Sequence, residues 1–392
     1  MDRKIFATGV IGLGAMGAPL AARLRECGAL AGVYARTPEK TAQFSAALAV
    51  TAFASATAAA RGCECLLLSL PDDDAVLAVT AEIARAAAPG RLVVDTSTVA
   101  PATAGAAAEV LARVGAAYVE APVTGGVEAA CTGRLSFFLA GDTAAIERAQ
   151  PLLEILGSRH THFGAIGSGQ RAKAANQLMI AGINQAVCEA LAFAEALEVP
   201  LERFIAATVD GAAGSELLRR RGAALVAQEF APGFRIALHE KDLRICQTLA
   251  AEMPAQLPLA EMTLIHYRRL TAQGLGDADI SALFMQKQKL FSEKSKKGNA
   301  MIKVEHQPLP ARLTALGVLQ WPIWTKEPSK FPWTYEEDET CYFLEGEVVV
   351  TPANGAPVTI GRNDLVTFPA GLVCTWEIVS PVRKHYAFGV SL

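Results

Sequence analysis

The stretch Ile11-Gly12-Leu13-Gly14-Ala15-Met16-Gly17-Ala18-Pro19-Leu20 decides the fold. Lys4 to Ile11 before it form a short apolar strand, and an apolar helical pattern runs on through Leu24, so a GxGxxG spacing lies between a strand and a helix. In that context the first glycine permits a tight turn, the second lets the backbone approach a pyrophosphate, and the third lets the helix pack close to the strand. The helix N-terminus then offers free amides and a positive dipole end to phosphates. Further strands are expected at about Leu30 to Tyr34, Cys65 to Leu70, Leu92 to Asp95 and Ala117 to Glu120. Their alternation with helical runs implies an α/β, Rossmann-type, doubly wound parallel sheet that binds a dinucleotide.

Such a sheet holds its ligand at the carboxyl ends of its strands, and four loops fall there. The second strand ends Tyr34-Ala35-Arg36-Thr37, with Ala35 where an NAD-binding chain usually places an acid for the ribose 2′-hydroxyl. Arg36 suits a 2′-phosphate in charge and geometry. The expected cofactor is therefore NADP, with NAD as the alternative. The other loops are Ser69-Leu70-Pro71-Asp72, Asp95-Thr96-Ser97-Thr98 and Glu120-Ala121-Pro122-Val123-Thr124-Gly125-Gly126. A hydroxyl followed by two glycines, as at Thr124-Gly125-Gly126, exposes consecutive backbone amides in a nest suited to a carboxylate.

After a strand at Leu135 to Gly141 and a helix at Thr143 to Leu156 comes Gly167-Ser168-Gly169-Gln170-Arg171-Ala172-Lys173-Ala174-Ala175-Asn176-Gln177. At about 100° per residue Lys173, Asn176 and Gln177 share one side of a helix. A lone lysine in an Ala-rich helix is ordinarily a solvated side chain. From here to about Leu290 the periodic apolar runs are helical: Ala172 to Leu197, Leu201 to Val209, Leu238 to Met253, Leu259 to Leu270 and Ile280 to Leu290. Lys173 thus lies near a change from sheet to helices, where ligand sites concentrate. His160-Thr161-His162 would place two imidazoles on one face of a strand, but no carboxylate or cysteine follows at ligand spacing and no metal is expected there.

The basic run Lys287 to Asn299 reads as a helix end and linker. Beyond Met301, tryptophans, frequent prolines and alternating runs such as Glu347 to Thr351 and Leu365 to Phe368 suggest a small β-barrel. The expected domains are a dinucleotide-binding sheet over 1–165, an all-helical substrate and dimerisation region over 166–292, a linker over 293–302 and the barrel over 303–392. A chain of 392 residues is long enough for several cores. With 52% apolar and 19% charged residues and a net charge of −3, nothing points to nucleic acid or an anionic membrane, and a small-molecule substrate becomes the expectation. The eight cysteines form no CxxC pair, which favours a reducing, cytoplasmic setting. No signal peptide is read at the N-terminus, and charges interrupt the Ala-rich stretches before the roughly twenty residues of a membrane span. Long apolar helices make a homo-oligomer the expectation.

Over its first 290 or so residues the chain resembles the β-hydroxyacid dehydrogenase family, which includes 3-hydroxyisobutyrate dehydrogenase and tartronate semialdehyde (2-hydroxy-3-oxopropionate) reductase. The resemblance rests on the glycine turn, Leu70-Pro71-Asp72, Asp95 to Thr98, Ala121 to Gly126, Gly169 to Gln177, Lys241-Asp242-Leu243 and Gly274-Leu275-Gly276-Asp277-Ala278-Asp279, in that order. It implies that Lys173 is catalytic, that Asn176 positions substrate and that Thr124, Gly125 and Gly126 hold its carboxylate. It also places Leu70, Pro71, Thr98 and Lys241 against the cofactor. Thr124 stands where serine is commoner, adding a methyl to the pocket. The residue chemistry agrees, because hydride exchange with a nicotinamide requires a proton to move at the substrate oxygen, and a lysine can carry it if burial and a cationic ring lower its pKa. The implied reaction couples NADP(H) to a small 3-hydroxy acid or semialdehyde carboxylate.

The last ninety residues resemble a short single-domain cupin, through Trp321-Pro322-Ile323-Trp324, Glu339 to Gly346, Gly361 to Gly371 and Arg383 to Tyr386. Trp333, Tyr335 and Cys374 stand about where metal-binding cupins carry histidines, and only Glu339 remains. A conventional metal site is not expected, and His385 alone does not restore one. A metal-free ligand pocket is the expectation, with a second reaction or a sensor or oligomerisation role as alternatives.

Overall fold

All four residues of β1 (Thr8–Ile11) are buried at the centre of a parallel sheet. With β2 (Leu30–Tyr34), β3 (Thr51–Ala52), β4 (Cys65–Leu68), β5 (Leu92–Asp95) and β6 (Ala117–Glu120), the order is β3-β2-β1-β4-β5-β6, as in a doubly wound dinucleotide fold. Successive side chains leave opposite faces of a strand. Val10, Leu67 and Val94 accordingly enter one core, and Ile11, Leu66 and Val93 enter another. Both faces are thus covered by helices, which is why these strands read as unbroken apolar runs. The computed structural model describes residues 6–253, 255–292, 302–353 and 355–390, so Lys4, the expected start of the first strand, lies outside the described residues.

Three differences from the sequence reading have physical causes. The strand expected to reach Leu70 stops at Leu68, because the Leu70 amide donates to the Ser97 hydroxyl at 2.9 Å. The strand at Leu135 does not extend the parallel sheet. It is β8 (Leu135–Leu139) of a separate sheet, between β7 (Val123–Thr124) and β9 (Gly157–His162). The helix Glu216–Val226 is not anticipated by the periodic runs. Its consecutive Arg219, Arg220 and Arg221 mask the apolar period; they reach Asp210, Glu128 and Asp279 in turn, and the first two also share Glu216.

The chain forms two compact units, residues 1–287 and 288–392. The sheet and the helices that follow it lie together in the first unit. The main one of those helices, the Lys173 helix (Ser168–Ala196), packs against the helices Ile236–Ala251 and Pro258–Ala272 as well as against β8. Gln170, Lys173, Gln177, Asn184 and Gln185 form a buried polar stripe along it. Contrary to the sequence reading, this helix is long and apolar enough to cross a membrane, the one such element among the described residues. Half of its apolar window is buried inside the unit, and its polar stripe bonds neighbouring elements, as a core helix does.

The second unit is an antiparallel barrel-like sheet of β10 (Lys303–His306), β11 (Ile323–Lys326), β12 (Ser329–Thr334), β13 (Glu339–Pro352), β14 (Val358–Ile360), β15 (Asp364–Phe368) and β16 (Val373–Phe388). The long β13 and β16 pair along most of their length. Alternate residues enclose one core containing Phe343, Val348, Val350, Phe368, Trp376 and Ile378.

Candidate active site

The glycine turn separates the roles expected of its members. A β-carbon on Gly12 or Gly17 would collide with the carbonyl oxygens of Ser69 or Gly12, so both positions are closed by backbone. One on Gly14 would meet nothing within 4 Å. Gly14 therefore presents bare backbone to open space at the end of β1, beside the helix start at Gly17, where an anion gains from the exposed amides. Ala35 is clamped by Thr41, whose hydroxyl accepts its amide at 2.9 Å, while Arg36 is exposed and has no ion pair among the described residues. Thr37 caps the following helix at Pro38–Leu48 without a side-chain bond. These groups fit a dinucleotide.

At the ends of β5 and β6, buried polar groups tie the sheet to the Lys173 helix. Asp95 accepts from the Ser97 amide and the Tyr118 hydroxyl, both at 2.9 Å, and burial pushes its carboxyl above the usual range. Gln170 donates to the Ser97 carbonyl at 2.9 Å and accepts the Val99 amide at 3.2 Å. Glu120 accepts the Gly167 amide at 2.5 Å and the Gln170 amide. The helix has no cap of its own; a carboxylate from the sheet satisfies its first free amides and complements its dipole. Burial raises the Glu120 carboxyl, and the two amides oppose that. Lys173 sits one turn beyond Gln170, so its position is referred directly to β6.

Lys173 is buried and donates to Gln177 Oε1 at 2.7 Å, which also accepts from Asn176 Nδ2 at 2.9 Å. Gln177 Nε2 passes the contact on to Asp242 Oδ2 at 2.6 Å. Lys241 lies 2.9 Å from Asp242 Oδ1 and donates to the Thr98 carbonyl. Burial lowers the Lys173 amine to about 8; Asp242 holds it up and Lys241 pushes it down. His239 braces this array, with one ring nitrogen 3.1 Å from the Gln177 carbonyl and the other 2.9 Å from the Tyr267 hydroxyl. The carbonyl can only accept, so Nε2 carries a proton, and burial lowers the imidazole to about 4.

Thr124 ends β7, and Gly125 and Gly126 have φ of +127° and +73°, left-handed conformations that favour glycine. Arg220 reaches from the helix Glu216–Val226 to the Gly125 carbonyl at 3.0 Å. The structure thus joins Lys173 to Asn176 through Gln177, and Lys241 to Thr98. Leu70 joins the same loop cluster through its bond to Ser97, with Pro71 next to it in sequence. It shows no direct contact between Thr124 and Lys173. Sequence reasoning gave no role to Asp242, Gln170, His239, Arg220 or Glu120. Asp242 adjoins Lys241, so adjacency was a usable signal for it; for Glu120, whose partners lie 47 and 50 residues on, there was none.

In the second unit Tyr335, Glu339 and Cys374 are buried and Trp333 is exposed. Among the described residues no three His, Cys, Asp or Glu side chains group as a metal site. Beside Glu339 stands Lys384, its Nζ 2.8 Å from Oε1. His385 bonds the Trp321 carbonyl at 2.7 Å. In the first unit His160 and His162 lie against the Leu153 and Gly164 carbonyls.

Residues 7–167 match the NAD-binding domain of 6-phosphogluconate dehydrogenase, and 167–286 match the NAD-binding domain of NADP-dependent 3-hydroxyisobutyrate dehydrogenase. The chain is 33% identical to the 2-hydroxy-3-oxopropionate reductase of Escherichia coli K12 over 278 residues, 70% of this chain and 94% of that one. The chain belongs to the β-hydroxyacid dehydrogenase family. This β-hydroxyacid dehydrogenase is also 31% identical to an NAD-dependent L-serine dehydrogenase of Pseudomonas aeruginosa, over 72% of this chain and 96% of that one. The Mycobacterium tuberculosis 3-hydroxyisobutyrate dehydrogenase solved with L-serine matches at 28% identity and a TM-score of 0.64, covering 72% of this chain and 99% of its own. The remaining part of this enzyme matches a EutQ-like cupin domain over residues 313–386.

Proposed function

We propose that this β-hydroxyacid dehydrogenase transfers a hydride between NADP(H) and a small 3-hydroxy acid or semialdehyde carboxylate, with Lys173 moving the proton at the substrate oxygen. The observation that carries this reading is a buried amine lowered to about 8 and held in place by Gln177. When bound, the nicotinamide supplies the hydride chemistry. In the oxidative direction neutral Lys173 takes the hydroxyl proton; in the reductive direction its ammonium returns one to the carbonyl oxygen. Asn176 orients the substrate, and the amides of Thr124, Gly125 and Gly126 hold its carboxylate. Gly12, Leu13, Gly14, Ala15, Met16 and Gly17 cradle the pyrophosphate, with Leu70, Pro71, Thr98 and Lys241 beside the cofactor and Arg36 and Thr37 at its 2′-phosphate.

The test is a screen of small 3-hydroxy acids and semialdehydes with NADP and NAD. Turnover with the predicted class and an NADP preference support the reading; no turnover across the panel would overturn it. A charge-assisted contact is worth about 1.5–3 kcal/mol, so R36S is expected to lose roughly ten- to a hundredfold of the NADP preference. A wild-type enzyme indifferent to the 2′-phosphate would refute the role of Arg36.

For the cupin unit the proposal is a ligand pocket without a metal, favoured by Lys384 standing at Glu339 where a cation's charge would lie. Stoichiometric metal in the purified protein would contradict it. A cytoplasmic homo-oligomer completes the proposal, supported by the free cysteines and by exposed Met179 and Phe193 on the Lys173 helix; a monomer in solution would count against it.

A further inference from the structure

Arg220 on the helix Glu216–Val226 ends at the loop Thr124-Gly125-Gly126, reaching back 95 residues to the Gly125 carbonyl. Three oxygens hold its guanidinium. Nη1 donates to that carbonyl at 3.0 Å and lies 3.0 Å from Glu128 Oε2, while Nε donates to Glu216 Oε1 at 2.6 Å. Glu216 stands one turn before Arg220 on the same helix, so this pair fixes the direction in which the side chain leaves it. The two glutamates are exposed, and ion pairs of that kind add little stability by themselves. The bond to Gly125 is different in kind, because it ends on a peptide group of the loop assigned to the substrate carboxylate.

A peptide unit is planar and trans, so the Gly125 carbonyl and the Gly126 amide point in opposite directions from one rigid plane. A donor fixed on the carbonyl therefore fixes the aim of the amide. Glycine on both sides makes such a hold necessary: φ is +127° at Gly125 and +73° at Gly126, and the wide range open to glycine leaves the plane free to turn. The Gly126 amide has no acceptor among the described residues. A β-carbon on Gly126 would meet, outside its own turn, only Arg220 Nη1 among them, at 3.9 Å, so the loop is open there beside the guanidinium. A cation on a carbonyl also polarises the peptide and strengthens donation by the amide at its other end.

We infer that Arg220 is a positioning residue that makes the loop selective for a carboxylate. It holds the Gly125–Gly126 peptide with its amide toward the substrate carboxylate, and it offsets the negative charge that Glu128 would otherwise bring to the same loop. The inference rests on the reading of Thr124, Gly125 and Gly126 as the carboxylate's loop, and it adds what sets the preference for a charged substrate there. Arg220 has no contact with Lys173 among the described residues. Its loss therefore acts on substrate binding and not on the proton transfer. An interaction made equally before and during the chemical step is read in KM and leaves kcat in place.

The test is steady-state kinetics of the full-length enzyme at saturating NADP with 3-hydroxypropionate, and with its neutral amide followed as substrate or competing inhibitor. In R220M the KM for the acid is expected to rise roughly tenfold, the size of one charge-assisted contact. The kcat, the KM for NADP and the binding of the amide should stay near their wild-type values. R220K keeps the charge but not the planar fork, and it is expected to show a smaller rise of the same kind; should R220M not fold, that split in R220K decides. Acid and amide weakened together, or an acid KM that does not move, would overturn the role of Arg220 and leave the carboxylate loop standing. A wild-type enzyme that binds the amide as well as the acid would overturn the loop reading and this inference with it. No turnover of the acid would overturn the inference and, if shared by the whole panel of hydroxy acids, the proposed function.

Discussion

Lys173 in the first unit and Lys384 in the second are almost equally buried, at 6% and 4% exposure, yet their amines move in opposite directions. Lys173 touches a neutral amide, and the nearby carboxylate, Asp242, lies one hydrogen bond further on and is shared with Lys241. Burial therefore prevails and the amine falls to about 8. At Lys384 burial opposes the charge as well, but Cys341 and Glu339 in direct contact outweigh it and the amine rises. One interposed glutamine distinguishes a lysine that gives up its proton near neutrality from one that keeps it. The consequences for stability are opposite in sign. The charged Lys173 costs stability below pH 8, and the cost fades as pH rises from about 8 to its unfolded value of 10.5. Lys384 contributes stability in full below 10.5 and loses that contribution as pH climbs through its raised folded value.

The most severe test of this contrast is K173A. General acid–base groups contribute about 10²–10⁴-fold to rate, and a loss of that size in steady-state turnover is expected; unchanged turnover would deny Lys173 its role. Next is E339Q, which leaves Lys384 charged, buried and unpaired at an expected cost of about 3–5 kcal/mol to the cupin unit. Denaturation followed by tryptophan emission measures it, and E339Q combined with K384M is expected to recover most of the loss. K173M is expected to do the reverse, raising the first unit's stability at pH 7 by up to about 3 kcal/mol. That gain should shrink between pH 8 and 10.5; a constant gain would mean that packing, not charge, causes it. The finest test is D242N. Asp242 holds the Lys173 amine up, so its neutralisation should move the pH at which the oxidative rate rises below its wild-type position near 8. A limb displaced upward would reverse the electrostatic assignment.

Features carried by local spacing are legible in the amino-acid sequence alone. The glycine turn, the alternating strands and the shared helix side of Lys173, Asn176 and Gln177 follow from backbone geometry over a few residues. The helix Glu216–Val226 is hidden because, besides Glu216 within it, its three arginines reach acids outside it, Asp279 far away in sequence among them. Glu120 is hidden for the same reason, since its partners Gly167 and Gln170 lie 47 and 50 residues on. In the barrel the loss of the usual histidines is readable, but nothing local marks Lys384, whose partners on β13 are more than forty residues away.

The sequence by itself determined that this chain winds a dinucleotide sheet, follows it with helices carrying a site lysine, and ends in a β-rich unit. Periodicity and glycine placement are local constraints, so they can be read in one dimension. Only the tertiary structure decided the state of the two lysines. A buried amine's charge depends on whether a carboxylate or an amide occupies the few ångströms beside it, and that neighbour arrives from a distant strand or helix.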